Sequence, residues 1–154
     1  MSLDIEEQYD KIYRYCYFKL HSRELAEDVT QETFLRYFEH ASGVITVSAL
    51  KYLYTIARNL CVDEYRKPKM EPIEESFLDD VMEEKLIENL AVKGALSRLT
   101  SDEQELLLLR YGNEVPVSTL ATIYGVSRFV IYRKILCASN KFREELRKEG
   151  IGGL

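Results

Sequence analysis

The 154-residue chain has no tryptophan, two histidines, three cysteines and three prolines. Each shortage removes a class of protein. Cys16, Cys61 and Cys137 are odd in number, far apart and free of any C-x-x-C pair. That pattern predicts free thiols in a reducing cytosol, not a disulfide frame or a zinc site. His21 and His40 do not make a histidine metal site, so no metal or other cofactor is expected. No apolar run nears the roughly 20 residues of a membrane-spanning helix. The opening MSLDIEEQYD is acidic and lacks an apolar core, so no signal peptide is expected and the protein is read as cytoplasmic. There is no nucleotide-binding glycine loop, no pair of catalytic carboxylates and no Ser/His/Asp set, so an enzyme is not expected. Asp63 is explained more simply by an i,i+4 pair with Lys67 than by general-base work.

Charge of one sign is not scarce, but it is unevenly placed. The net charge of −5 argues against holding nucleic acid by bulk attraction. The segment Arg128–Lys148 nevertheless carries Arg128, Arg133, Lys134, Lys141, Arg143, Arg147 and Lys148 against Glu144 and Glu145, while Glu71–Glu84 is mostly acid.

Few β-branched residues alternate, and helical periodicity dominates, so the chain reads as all-α. IEEQYDKIYRYCYFKL places Ile5, Tyr9, Ile12, Tyr13, Cys16, Tyr17 and Leu20 on one face. Ser22 caps a second helix running to about His40. ASGVITVS is then a loop, with Ser48 as N-cap of a third helix. In that third helix Leu53, Ile56, Ala57, Leu60 and Cys61 share a core side. Thr55, Asn59, Val62 and Arg66 line the far side, flanked by Lys51 and Arg58, with Tyr52, Tyr54 and Tyr65 along the edges. Pro68 and Pro72 end the helix. An acidic linker leads to a second helical unit, in which Thr100 and Glu103 form a capping-box pattern.

Two surfaces carry candidate function. VSTLATIYGVSRFVIYRKI is a helix-turn-helix pattern: Ala121 is small at the crossing, Gly125 makes the turn, and Leu120, Val126, Ile131 and Ile135 face inward. Its second helix points Arg128, Phe129, Tyr132 and Arg133 outward from the turns that enter a major groove. In the second helix of the chain, Glu24, Asp28, Gln31, Leu35 and Glu39 form a stripe with Glu32 beside it, opposite Ala26, Val29, Thr33, Phe34 and Tyr37. An acidic stripe centred on Leu35 suits a basic protein partner. A solvated face is the default for any charge run, and spacing alone does not choose between them.

AEDVTQETFLRYFEH, LKYLYTIARNLCVDEYRK and LSRLTSDEQELLLLRYGNEVPVSTLATIYGVSRFVIYRK together resemble the extracytoplasmic-function (ECF) branch of bacterial sigma factors, from about residue 5 to 148. The resemblance implies two small helical domains: region 2, a three-helix bundle, at 1–67, and region 4, a helix-turn-helix, at 86–150, joined by the acidic linker 68–85. It implies core RNA polymerase and promoter DNA as partners, and an anti-sigma factor besides. By resemblance, Asp28, Gln31, Glu32, Phe34 and Leu35 meet the polymerase clamp. Lys51, Tyr54, Arg58, Asn59, Arg66 and Lys67 read and open the −10 element, and the loop Ala41–Ser48 catches a flipped base. Arg128, Phe129, Tyr132, Arg133 and Lys134 bind the −35 element. Two departures stand out. Tyr52 replaces the tryptophan of many relatives. Cys137-Ala138-Ser139 also stands where an arginine-rich run is usual, which predicts fewer phosphate contacts. A stand-alone helix-turn-helix regulator, or a sigma-like interaction protein with weakened DNA binding, is the competing reading.

Overall fold

The computed structural model describes residues 2–41, 43–66 and 90–150, with the side chains of Arg66 and Leu90 left aside. The described residues are overwhelmingly helical and fall into two compact units, each taken by itself here. Lys67, the acidic linker of 68–85 and the expected domain start at 86 lie outside the described residues.

The first unit begins with a short strand, β1 (Ser2–Leu3), and then α1 (Ile5–Leu20). The Asp4 carboxylate accepts from the Glu6 N–H at 3.2 Å and caps α1, with Glu6 and Glu7 suiting the positive end of the helix dipole. His21 ends the helix in a left-handed conformation, φ 58°, its N–H donating to Tyr17 O at 2.9 Å. Ser22 follows and accepts from the Leu25 N–H at 3.3 Å, starting α2 (Arg23–Glu39) where the sequence predicts.

The connection to α3 (Leu50–Arg66) holds a feature that helical periodicity does not show. Strand β2 (Ile45–Thr46) pairs antiparallel with β1, Ser2 opposite Thr46 and Leu3 opposite Ile45. A 3₁₀ turn, Val47–Ala49, then delivers the chain into α3. Ser48 is not the cap assigned to it from sequence. It sits inside that turn, its hydroxyl paired with that of Thr46 at 3.0 Å.

The helices α1, α2 and α3 pack pairwise into a three-helix bundle. Ile12, Cys16 and Leu20 are buried as predicted, joined by Tyr15 and Phe18, whereas Ile5 is exposed. From α2 come Ala26, Val29, Thr30, Thr33, Phe34 and Tyr37. The Thr30 and Thr33 hydroxyls donate one turn back to Ala26 O (2.6 Å) and Val29 O (2.7 Å), so neither is buried unsatisfied. α3 contributes Leu53, Tyr54, Ala57 and Cys61, with Ile56 and Leu60 half-buried. Ring pairs pin both partners of α1. Tyr15 meets Tyr54 edge-on at 6.0 Å and Tyr9 meets Phe34 at 5.3 Å, geometries worth about 0.5–1.5 kcal/mol each beyond area burial.

The second unit comprises α4 (Leu90–Ser97), α5 (Ser101–Leu107), a π-type turn (Leu108–Gly112), α6 (Val117–Tyr124) and α7 (Arg128–Lys148). Thr100 and Glu103 form the predicted capping box, with bonds of 3.1 and 2.8 Å. The Gln104 amide donates to Leu96 O and Leu99 O at 2.8 and 3.1 Å, tying α5 to the turn after α4, where Leu96 O also accepts from the Leu99 N–H at 3.1 Å. Leu96, Leu99, Leu107 and Ala138 make a core against which Val92 and Phe142 pack. Glu105 is fully buried and accepts from the Tyr124 hydroxyl at 2.6 Å, tying α5 to α6. Among the described residues no helix is long and apolar enough to cross a membrane.

Candidate nucleic-acid interface

Helices α6 and α7 meet through three residues. Gly125 closes α6 at φ 67°, ψ 34°, a left-handed conformation that is cheap only without a Cβ. Val126 N–H then reaches back to Ala121 O at 3.0 Å, and Ser127 Oγ accepts from Val130 N–H at 3.2 Å to open α7. Leu120 and Ala121 are buried on one side of the turn, Ile131 and Ile135 on the other. The helix-turn-helix read from the sequence is present.

One side of α7 is committed to the core through Ile131, Ile135, Ala138 and Leu146. On the 3.6-residue wheel Phe129, Arg133, Leu136 and Asn140 run down the middle of the other side, with Tyr132 and Lys134 at its two margins; Arg128, the first residue of the helix, shares the angle of Leu146. All six residues of that side are exposed. Phe129 is 70% exposed, Tyr132 61% and Leu136 59%, a row of large apolar groups in water. The Arg133 guanidinium lies 5.4 Å from the centre of the Phe129 ring, one turn away. Phe129, Tyr132, Arg133 and Lys134 therefore share one open face, and Arg128 is exposed at the helix start beside it. Cys137 is also exposed on it, and Ala138 is buried, so only part of the Cys-Ala-Ser run faces outward.

In the first unit α3 shows water a row of Tyr52, Thr55, Asn59 and Val62. Lys51 places its ammonium 5.2 Å from the Tyr52 ring centre, repeating the cation-on-aromatic pairing of α7. The backbone at Arg66 continues the row. Arg58 is half-buried at its flank.

Tyr54 needs correction. It is 1% exposed and packed against Tyr15, so its ring is a core group and cannot present a face to a base in this conformation. On the wheel Tyr54 stands next to Cys61 at the margin of the buried arc, and the Tyr15 ring covers it there. Tyr52, which sequence reasoning left on the edge, is 59% exposed and stands i−3 and i−7 from Thr55 and Asn59. That spacing was the signal that marked it.

On α2, Glu24, Asp28, Gln31, Leu35 and Glu39 are all exposed on the predicted stripe, Leu35 at 61%. Gln31 donates to Glu27 at 3.1 Å, and Glu27 also accepts from the Tyr9 hydroxyl at 2.7 Å. Burial of the ring, with this hydrogen bond and the Glu27 charge, pushes the Tyr9 phenol up to about 12. Glu32 is half-buried and pairs with Arg36 at 2.8 Å. Phe34 is the second correction. It is 6% exposed behind the stripe, against Tyr9 and Phe38, so it supports the surface and is not part of it.

The model of the sigma-70 region 2 family matches residues 5–70. The ECF RNA polymerase sigma factor BldN of Streptomyces coelicolor is 32% identical over 135 residues, covering 77% of this chain and 50% of its own length. This chain therefore spans half the length of that relative. SigL of Mycobacterium tuberculosis, also an ECF sigma factor, is 26% identical over 138 residues, 82% of this chain and 77% of SigL. SigW of Bacillus subtilis is 27% identical over 166 residues, 95% of this chain and 87% of SigW. Alignments of that extent run well beyond residue 70 into the second unit.

Proposed function

We propose that this chain does the work of an ECF RNA polymerase sigma factor: it binds core RNA polymerase, carries it to promoters and opens the duplex there. In this reading the first unit is region 2 and the second is region 4. The observation that carries it is the presence, in one chain, of two exposed cation-and-aromatic faces together with an exposed acidic stripe. Each face sets aromatic and cationic groups side by side, Lys51 on Tyr52 and Arg133 on Phe129. The stripe on α2 is acidic with Leu35 at its centre.

The chemistry follows from the faces. Opening a duplex requires a hold on unstacked bases as well as phosphates. Tyr52 offers a ring for stacking, worth roughly 1–3 kcal/mol per base. Asn59 offers a donor and an acceptor to a base edge, and Lys51 and Arg58, with Arg66 and Lys67, hold the strand backbone. The α2–α3 loop, from Ala41 to Ser48, receives the flipped base of the −10 element. On α7, side chains from the first two turns enter the major groove of the −35 element. Asp28, Gln31, Glu32 and Leu35 dock on the basic clamp of the polymerase, with charge setting the orientation and Leu35 supplying apolar contact. A regulatory anti-sigma factor would cover one of these same faces.

Run-off transcription with purified core polymerase tests the reading. Transcript that depends on this chain and on upstream promoter sequence is the expected result. Specific DNA binding by a dimer without polymerase would favour a stand-alone regulator. Stable binding to core polymerase with no transcript would favour an interaction protein.

A further inference from the structure

We infer that Phe129 and Arg133 act as one reading unit, selecting a guanine with a thymine in the adjacent base pair. The inference rests on reading α7 as the −35 reader and gives that helix a sequence preference. Phe129 is 70% exposed at the first turn of α7, where it adds nothing to the core. A single exposed apolar residue needs no explanation. Here, however, the ring also carries the Arg133 guanidinium at 5.4 Å, on the middle of the face that would meet DNA. The i,i+4 spacing fixes this arrangement without a partner.

An arginine fork satisfies O6 and N7 of guanine together, and to do so it lies near the plane of that base. Any ring stacked on the fork must then sit above or below that plane. Successive base pairs are about 3.4 Å apart, so the ring is carried to the level of a neighbouring pair. At that level the major groove offers nitrogen and oxygen atoms that need hydrogen-bond partners, and one apolar group, the 5-methyl of thymine. Phenylalanine has no donor or acceptor. Beside cytosine N4 or adenine N6 it strips water and returns nothing, whereas beside the thymine methyl it buries apolar surface. Lys134 stands at one margin of the face and Arg128 at the first position of α7, both exposed and suited to phosphates. Base reading thus falls to the centre of the face and backbone holding to its margin and to the helix start.

The test uses the full chain with core polymerase and a library of barcoded templates randomised through the upstream promoter region. Templates selected by run-off should carry a guanine next to a thymine in the −35 element. Replacing that thymine by deoxyuridine removes only the methyl and should lower run-off about fourfold, the worth of one buried methyl group. Phe129→Ala should erase the difference between thymine and deoxyuridine, and Arg133→Ala should erase the preference for guanine. Both residues are exposed, and circular dichroism should show the variants folded. Equal use of thymine and deoxyuridine by the unaltered protein would overturn the inference, as would undiminished discrimination by Phe129→Ala. A library that yields no transcript at all would instead overturn the functional reading beneath it, and the inference with it.

Discussion

Exchanging the roles of two neighbouring tyrosines is the sharpest check on the reading of α3. Tyr54 is 1% exposed and meets Tyr15 edge-on; Tyr52 is 59% exposed beneath Lys51. Truncating a fully buried large aromatic removes its transfer energy and leaves a cavity, about 3–5 kcal/mol in total. A small domain has only about 5–15 kcal/mol of stability to lose. Tyr54→Ala should therefore lower the melting temperature of the first unit by more than about 10 °C, at about 4–8 °C per kcal/mol for a unit of this size. Tyr52→Ala changes a surface side chain and should shift stability by no more than about 0.5 kcal/mol. Its loss should fall on promoter opening. A stacking contact of about 1–3 kcal/mol corresponds to roughly 5- to 150-fold in the open-complex equilibrium. Thermal melting followed by circular dichroism gives the first quantity. Permanganate reactivity of unpaired thymines, in complexes with core polymerase, gives the second. A stable Tyr54→Ala protein defective only in opening would refute the assignment. So would a Tyr52→Ala protein that opens promoters normally.

Three further outcomes are expected. Asp28→Lys combined with Gln31→Ala should weaken co-purification with core polymerase without changing helix content, because both side chains are exposed on α2; undiminished co-purification would remove the stripe from the interface. Gly125→Ala should cost about 1–2 kcal/mol in denaturant unfolding of the second unit although nothing lies within 4 Å of the added Cβ, since the cost arises from φ 67° and not from crowding. Tyr9 should titrate near 12 by ultraviolet absorbance, held up by burial and then by Glu27, and Glu27→Gln should lower its midpoint. An unfolded tyrosine ionises near about 10, so the stability tied to this proton is intact below that pH and is lost as pH rises from about 10 towards about 12.

Local signals were the readable ones. Ser22 and Thr100 announced helix starts because a cap depends on residues three positions apart, and both make the bonds that their sequence context implied; Ser48 does not, because a 3₁₀ turn leads into α3. Gly125 announced the turn because only its backbone sits there without strain. Candidate contacts were harder, since a family resemblance transfers a position and not its environment. Tyr54 and Phe34 were drawn from matched motifs, yet the wheel places both among buried neighbours. The pairing of Ser2–Leu3 with Ile45–Thr46 had no sequence signal, because two-residue strands carry no period and their partners lie more than forty positions apart. Glu105 was missed for a related reason. Its burial depends on a hydroxyl from Tyr124, nineteen residues away.

That small pairing reaches beyond its two bonded residues per strand. Between α2 and α3 the chain is held by the strand contact, by the fully buried Ile45, and by the Tyr37 hydroxyl donating to Val44 O at 3.1 Å. A loop anchored in this way has surrendered much of its conformational freedom in advance, so in the proposed role base capture need not supply that ordering. Strand β1 thus acts as a splint for a segment it never adjoins in sequence. Removing β1 would leave every residue of that loop chemically intact and yet, in the proposed role, make the loop a less discriminating trap.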